Sequence, residues 1–153
     1  MKNRAAGWPC ANDLLDANLL LYSVNENAVF QKKAESWLEA TVSGRESVGL
    51  SWTVILAFLR LTTRAGLFKH PLSVEAAFEI VAAWIEQDAV TLIHPGPRHF
   101  QILRDLLVSA ATGGNLTSDA HLAALAIEHG AVLCSLDADF ARFPRLNWKN
   151  PLA

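Results

Sequence analysis

The chain has 153 residues, a length that suits one domain with one sizeable core. Hydrophobic residues make up 52% and charged residues 18%; this is richer in apolar side chains than an average soluble domain, so a thick core or an apolar partner surface is expected. The net charge of −2 excludes a global positive field that would gather nucleic acid, and any attraction for phosphate must be local.

The first twelve residues, MKNRAAGWPCAN, lack the apolar stretch of a secretion signal. They read as an N-terminal extension and a candidate for disorder, ahead of a single domain over 13–153. The two cysteines, Cys10 and Cys134, do not suggest a disulfide framework, because Cys134 lies in AVLCSL as a small buried hydrophobe. Asp, Arg or Gly interrupts every apolar run before it reaches membrane-spanning length, so a cytoplasmic protein without membrane contact is expected.

LLDANLLLY (14–22) begins as a short buried strand and passes through Asp16-Ala17-Asn18 into a helix. Residues 28–42 place Val29, Ala34, Trp37, Leu38 and Val42 near helical spacing, with Gly44 as a stop. SVGLS (47–51) reads as a strand. TVILAFLRLTTRAG (53–66) reads as a helix that is apolar nearly all round, hence largely buried. Ser73 caps a helix over 73–87 with Glu75 in its first turn, and AVTLIH (89–94) follows as a strand. Pro97 opens a helix that runs to about Ala111 and is broken by Gly113-Gly114. Thr117 or Ser118 is expected to cap the next helix, which ends at His129 before Gly130. AVLCSL (131–136) is a strand, and FARFPRLNWKNPL closes the chain with a short edge strand. Continuous apolar strands between helices indicate a three-layer α/β/α domain around a mostly parallel sheet.

In a parallel sheet every strand ends on the same edge. Asp16 follows the first strand and Asp137 the last long one. The helix ahead of that last strand runs antiparallel to it, which brings Asp119 to the same edge, where ligands of open α/β sheets bind. Asp16, Asp119, Asp137 and Asp139 are therefore expected on one rim, at lateral separations that depend on strand order. Two like charges about 4 Å apart repel by about 4 kcal/mol at an effective dielectric near 20, so convergence would call for protons or a cation. No histidine or cysteine stands at metal-ligand spacing beside them, which disfavours zinc; all-oxygen ligands favour Mg²⁺ or Mn²⁺, and such an ion suits phosphate-ester hydrolysis. Taken singly, Asp119 is explained by a helix first turn, and Asp137 and Asp139 by a turn after a strand; the conjunction of all four is what points to a metal. Asn18 either orients Asp16 or caps the helix, Asp13 reads as solvent-facing, His121 as a surface residue, and His129 as a cation at a helix C-terminus.

These residues resemble the PIN-domain ribonucleases, and within them the VapC-like toxins of type II toxin–antitoxin systems. LLDANLLLY resembles the family's first-strand motif. NLTSDAHLAALAIEHGAVLCSLDADFARFP resembles its C-terminal motif of an aspartate opening a helix, a strand, and Asp-x-Asp-Phe. GLSWTVILAFLRLTTRAGLF, with its Phe-x-Arg-x-x-Thr core, resembles one subgroup. The resemblance spans roughly 13–152. It implies that Asp16, Asp119 and Asp137 bind Mg²⁺ or Mn²⁺, that Asp139 is a fourth acidic member, and that Asn18 fills the small polar position. It also implies endoribonuclease activity, homodimerisation, and neutralisation by a small VapB-like antitoxin, with DNA contacted only through that partner. Many members carry a glutamate in the helix after the second strand. Here Phe58 falls near that position, and no Asp or Glu occurs between Glu46 and Glu75, so either a single ion suffices or Asp139 fills part of the gap.

Substrate phosphate needs cations near the acidic rim. Arg142 and Arg145 follow the Asp-x-Asp-Phe turn, Lys149 extends that patch, and Arg60 and Arg64 share a helix face four residues apart. The helices at 18–24, 28–42 and 53–65 are candidates for an antitoxin groove. The competing readings are a catalytically degenerate RNA- or protein-binding module, supported by the absent glutamate, and a small-molecule phosphohydrolase or phospho-receiver. Against the latter, Asp16 lacks the Asp-x-Asp pattern of aspartyl phosphatases, and no lysine follows a strand in a receiver-like place.

Overall fold

The apolar runs of the sequence become the strands of one sheet. In the computed structural model, which describes residues 11–111 and 113–153, the strands are β1 (Asp13–Leu15), β2 (Val48–Ser51), β3 (Val90–Ile93), β4 (Val132–Cys134) and β5 (Trp148–Lys149). Their order is β3-β2-β1-β4-β5, and every neighbouring pair is parallel. The central strands are short because they are buried on both faces and need only enough length to fill the layer between helices. Leu14, Leu15, Leu50, Ile93 and Leu133 are all essentially inaccessible to solvent.

The helices are α1 (Ala17–Val24), α2 (Gln31–Val42), α3 (Trp52–Thr63), α4 (Val74–Ile85), α5 (His99–Ala110) and α6 (Leu116–His129). From β1 the chain winds outward through β2 to β3, then returns across β1 to β4 and β5. With right-handed crossovers this reversal puts the later helices on the other face of the sheet. The packing agrees: α1 contacts α2 and α3, α3 contacts α4, and α5 pairs with α6. The winding reverses between β1 and β4, so the crevice of the α/β sheet opens outside the C-terminal ends of these two strands. Among the described residues no helix is long and apolar enough to cross a membrane.

Several local expectations change. Ala11 is buried, and the Asn12 carbonyl accepts from the Val132 N–H, so the fold begins before Asp13; residues 1–10, Cys10 included, lie outside the described residues. Asp13 is not solvent-facing. It sits in β1 with both carboxylate oxygens 3.1 Å from Lys149 Nζ. α3 is not buried all round, because Trp52 and Leu56 are 49% and 59% exposed while Val54, Ile55, Phe58 and Thr62 fill the core. Neither Thr117 nor Ser118 caps α6. The left-handed Gly114 (φ 59°) tightens the turn so that the carbonyls of Gly113 and Gly114 accept from Leu116 and Thr117 N–H, and the helix starts at Leu116 behind Asn115. Ser73 does cap α4, accepting from Ala76 N–H at 3.1 Å, and Gly130 ends α6 in the left-handed region at φ 64°.

Candidate active site

Strand order settles what the sequence left open. β1 and β4 are neighbours, so the residues leaving their C-terminal ends, Asp16 and Asp137, emerge side by side. Asp16 is itself the N-cap of α1, with Oδ1 accepting from Ala17 N–H at 2.7 Å. Its Oδ2 accepts from Ser135 Oγ at 2.7 Å. Asn18 is therefore not the cap. Its amide nitrogen donates to Ser135 Oγ at 3.0 Å and its carbonyl accepts from Leu136 N–H at 3.2 Å, which ties α1 to the turn after β4. Ser135 Oγ also accepts from Asp137 N–H at 3.0 Å, and Asp137 Oδ1 in turn accepts from Asp139 N–H at 2.9 Å. Asp119 enters from the first turn of α6.

Asp16 and Asp119 both feel the charges of their acidic neighbours. Burial raises the pKa of Asp16; the hydrogen bonds from Ser135 and Ala17 oppose the rise, and the charge of Asp137 adds to it. Burial likewise raises Asp119, and Asp16, Asp137 and Asp139 push it further in the same direction while Arg142 opposes them. Asp139 is exposed, 3.7 Å from the Arg142 guanidinium, and forms the outer edge of the group. Among the described residues no three His, Cys, Asp or Glu side chains are drawn together as a ready-made metal cluster. What fits a hard divalent cation is the donor chemistry: all oxygen, mutually repelling, and partly desolvated, conditions that a bound cation relieves.

A cavity of about 380 Å³ opens on this edge, lined by Asp16 and Ala17 at the head of α1, by Ser118, Asp119 and Leu122 of α6, and by Thr53, Val54, Leu56, Ala57 and Arg60 of α3. Phe58 is not its lining residue. It is fully buried, with its ring 4.9 Å from that of Trp84, so the position on α3 that faces the aspartates is Ala57. Arg60 lies on the cavity wall, but Arg64 lies beyond the last turn of α3 in extended conformation and does not share its face. Arg142 is close enough to Asp119 to lower its pKa, and Arg145 is exposed at a left-handed backbone of φ 72°. Lys149 is engaged with Asp13 and does not extend the arginine patch.

Two features escaped the sequence reading. Ser135 is wholly buried and joins Asp16, Asn18 and Asp137; the only hint was a lone hydroxyl closing the apolar run AVLC. His121 is half-buried and does not lie open at the surface. Its Nδ1 lies 2.9 Å from Nε2 of His99, and burial lowers the pKa of both rings.

The sequence model of the PIN domain matches residues 14–146, and the chain belongs to the PIN-domain family. Its relatives include Ribonuclease VapC37 of Mycobacterium tuberculosis (strain ATCC 25618 / H37Rv), 46% identical over 92% of this chain and 97% of that protein. Ribonuclease VapC33 of the same strain is 40% identical over 90% of this chain and 96% of that one. Among solved structures, the crystal structure of VapBC2 from Rickettsia felis bound to a promoter DNA fragment shares the fold with a TM-score of 0.66 at 16% identity, over 90% of this chain and 97% of that one.

Proposed function

We propose that this chain is an endoribonuclease, the toxin of a type II toxin–antitoxin pair, acting in the cytoplasm with Mg²⁺ or Mn²⁺ held by Asp16, Asp119 and Asp137. The observation that carries the reading is that Asp16 and Asp119, from distant stretches of sequence, line one cavity, with Asp137 leaving the strand beside Asp16, in a chain 46% identical to a ribonuclease. When bound, a hard divalent ion there supplies Lewis acidity at a phosphoryl oxygen and an activated water. The residues of the chain do the remaining work. Ser135 and Ala17 N–H hold the Asp16 carboxylate in one orientation. Asn18 and Ser135 fix the turn that carries Asp137 and Asp139. Arg142, Arg145 and Arg60 offset the repulsion between the acidic rim and an incoming phosphodiester. The partner is a small VapB-like antitoxin whose apolar segment covers side chains left exposed on α1, at the head of α2 and on α3, such as Tyr22, Phe30 and Leu56; the active form is a homodimer, and DNA is reached only through the antitoxin.

The test is cleavage of total RNA by the purified chain with Mg²⁺, with Mn²⁺ and with EDTA, alongside Asp16→Asn and Asp119→Asn. Cleavage is expected only with metal and should fall at least 100-fold in either variant. Undiminished cleavage in EDTA, or by both variants, would overturn the assignment.

A further inference from the structure

The α3 wall of the cavity presents Thr53, Ala57 and Arg60, at a spacing that puts them on one helix face. None is acidic, and the sequence holds no Asp or Glu from Arg45's neighbour Glu46 until Glu75. Asp16, Asp119 and Asp137 supply oxygens enough for one small hard ion, which keeps several of its waters. A second ion about 4 Å from the first would need further carboxylates; Asp139 stands 3.7 Å from the Arg142 guanidinium at the outer edge, and the remaining wall is α3. Where an acid would stand, the chain has a methyl group, at Ala57, and one helical turn on it has a guanidinium, at Arg60.

That guanidinium is free to act. Among the described residues Arg60 makes no hydrogen bond or ion pair, whereas Arg142 is held by Asp139. Arg60 lines the same cavity as Asp16 and Asp119, beside the apolar side chains of Leu56, Ala57 and Leu122, where a charge-assisted hydrogen bond is stronger than in open water.

We propose that the site works with a single divalent ion and that Arg60 provides its second positive charge, donating its forked N–H groups to the non-bridging oxygens of the scissile phosphate as negative charge builds there. The proposal rests on the nuclease reading above. The phosphate gains charge in the transition state, so the contact strengthens there and governs the cleavage rate more than the binding of metal.

Three measurements on the full chain test it: Mn²⁺ stoichiometry and affinity by calorimetry, thermal unfolding, and single-turnover cleavage of RNA. Wild type is expected to bind one Mn²⁺ per chain. Arg60→Ala is expected to bind Mn²⁺ with the same affinity and to unfold at the same temperature, because the side chain is exposed and unpaired, yet to cleave about 100- to 1,000-fold more slowly. Arg60→Lys, which keeps the charge and loses the fork, should recover part of that rate. Two Mn²⁺ per wild-type chain, or an Arg60→Ala rate within about 3-fold of wild type, overturns the proposal and leaves the nuclease reading standing. Absence of any metal-dependent cleavage by wild type overturns both.

Discussion

Ser135 has one proton and three polar neighbours. Leu136 N–H can meet only the oxygen of the Asn18 amide, so the amide nitrogen faces Ser135, and Asp137 N–H is a donor by nature. Both lone-pair positions of the hydroxyl are thereby taken, and its proton must go to Asp16. One serine thus forces Asp16 to be an acceptor and fixes the direction in which the carboxylate presents its oxygens. None of this was visible in the sequence, because Asp16 and Ser135 lie 119 positions apart and meet only where β1 and β4 are neighbours. Asp16 was legible, since a carboxylate set between LL and LLLY stands out, although its N-cap bond from Ala17 N–H also gives it a structural role. The His99–His121 pair was not, because two histidines far apart in a helical pattern carry no signal until the helices are packed. That pair makes a prediction. Burial lowers both ring pKa values, so the folded state resists a proton that the unfolded chain accepts. The stability contributed is present at neutral pH and is lost as pH falls from the ordinary histidine value of 6.5 toward the lowered one. Asp16 and Asp119, with raised values, shift stability the opposite way, lost as pH rises through their folded values, so the comparison must be made between variants. Between pH 7.5 and 5.5 the melting temperature should fall further in wild type than in His99→Gln. Parallel pH profiles would show that the pair does not titrate with unfolding.

At the scale of elements, β2 shows how closely the sheet is filled. A Cβ at Gly49 would stand 2.7 Å from the Ile93 side chain on β3, 3.1 Å from Ala11 and 3.2 Å from Leu14 on β1. Three neighbours on different segments cannot all retreat, so Gly49→Ala should destabilise the chain by about 1–3 kcal/mol in a urea titration, without change in the m-value. An unchanged midpoint would mean that the layer is looser than its contacts imply. The same close filling explains what the sequence conveyed and what it hid. VGLS and VTLI are continuous apolar runs because both sheet faces are covered, and that pattern identified the fold class. In α3 the pattern misled: Trp52 and Leu56 are as apolar as Ile55 and Phe58, yet both are exposed, Leu56 on the wall of the open cavity. Apolar character marks a surface to be covered without saying whether core, substrate or partner covers it.

For the molecule as a whole, a net charge of −2 and a function on RNA are reconciled by where the charges lie. The carboxylates gather at the C-terminal edge between β1 and β4, and the arginines proposed to meet substrate, Arg60, Arg142 and Arg145, number three and arise from two separate stretches. A chain with a general basic surface would bind RNA through many phosphates and lose affinity steeply with salt. With three phosphate contacts to a single strand, the logarithm of affinity should fall against the logarithm of salt concentration with a slope of about −2. The measurement calls for a non-cleaving background, so Asp119→Asn serves in both arms, with binding to a single-stranded RNA followed between 50 and 250 mM KCl, concentrations on the order of those where counterion release is resolved. Adding Arg142→Ala should make the slope shallower by about 0.7 and weaken binding at every salt concentration. Arg142 also lies 3.7 Å from Asp139, but that exposed pair is worth little to folding, so the variant should stay folded and the change in slope should report the phosphate contact alone. A slope near −5, or one that Arg142→Ala leaves untouched, would place the RNA on some other face of the molecule and detach the acidic edge from the substrate it is proposed to cut.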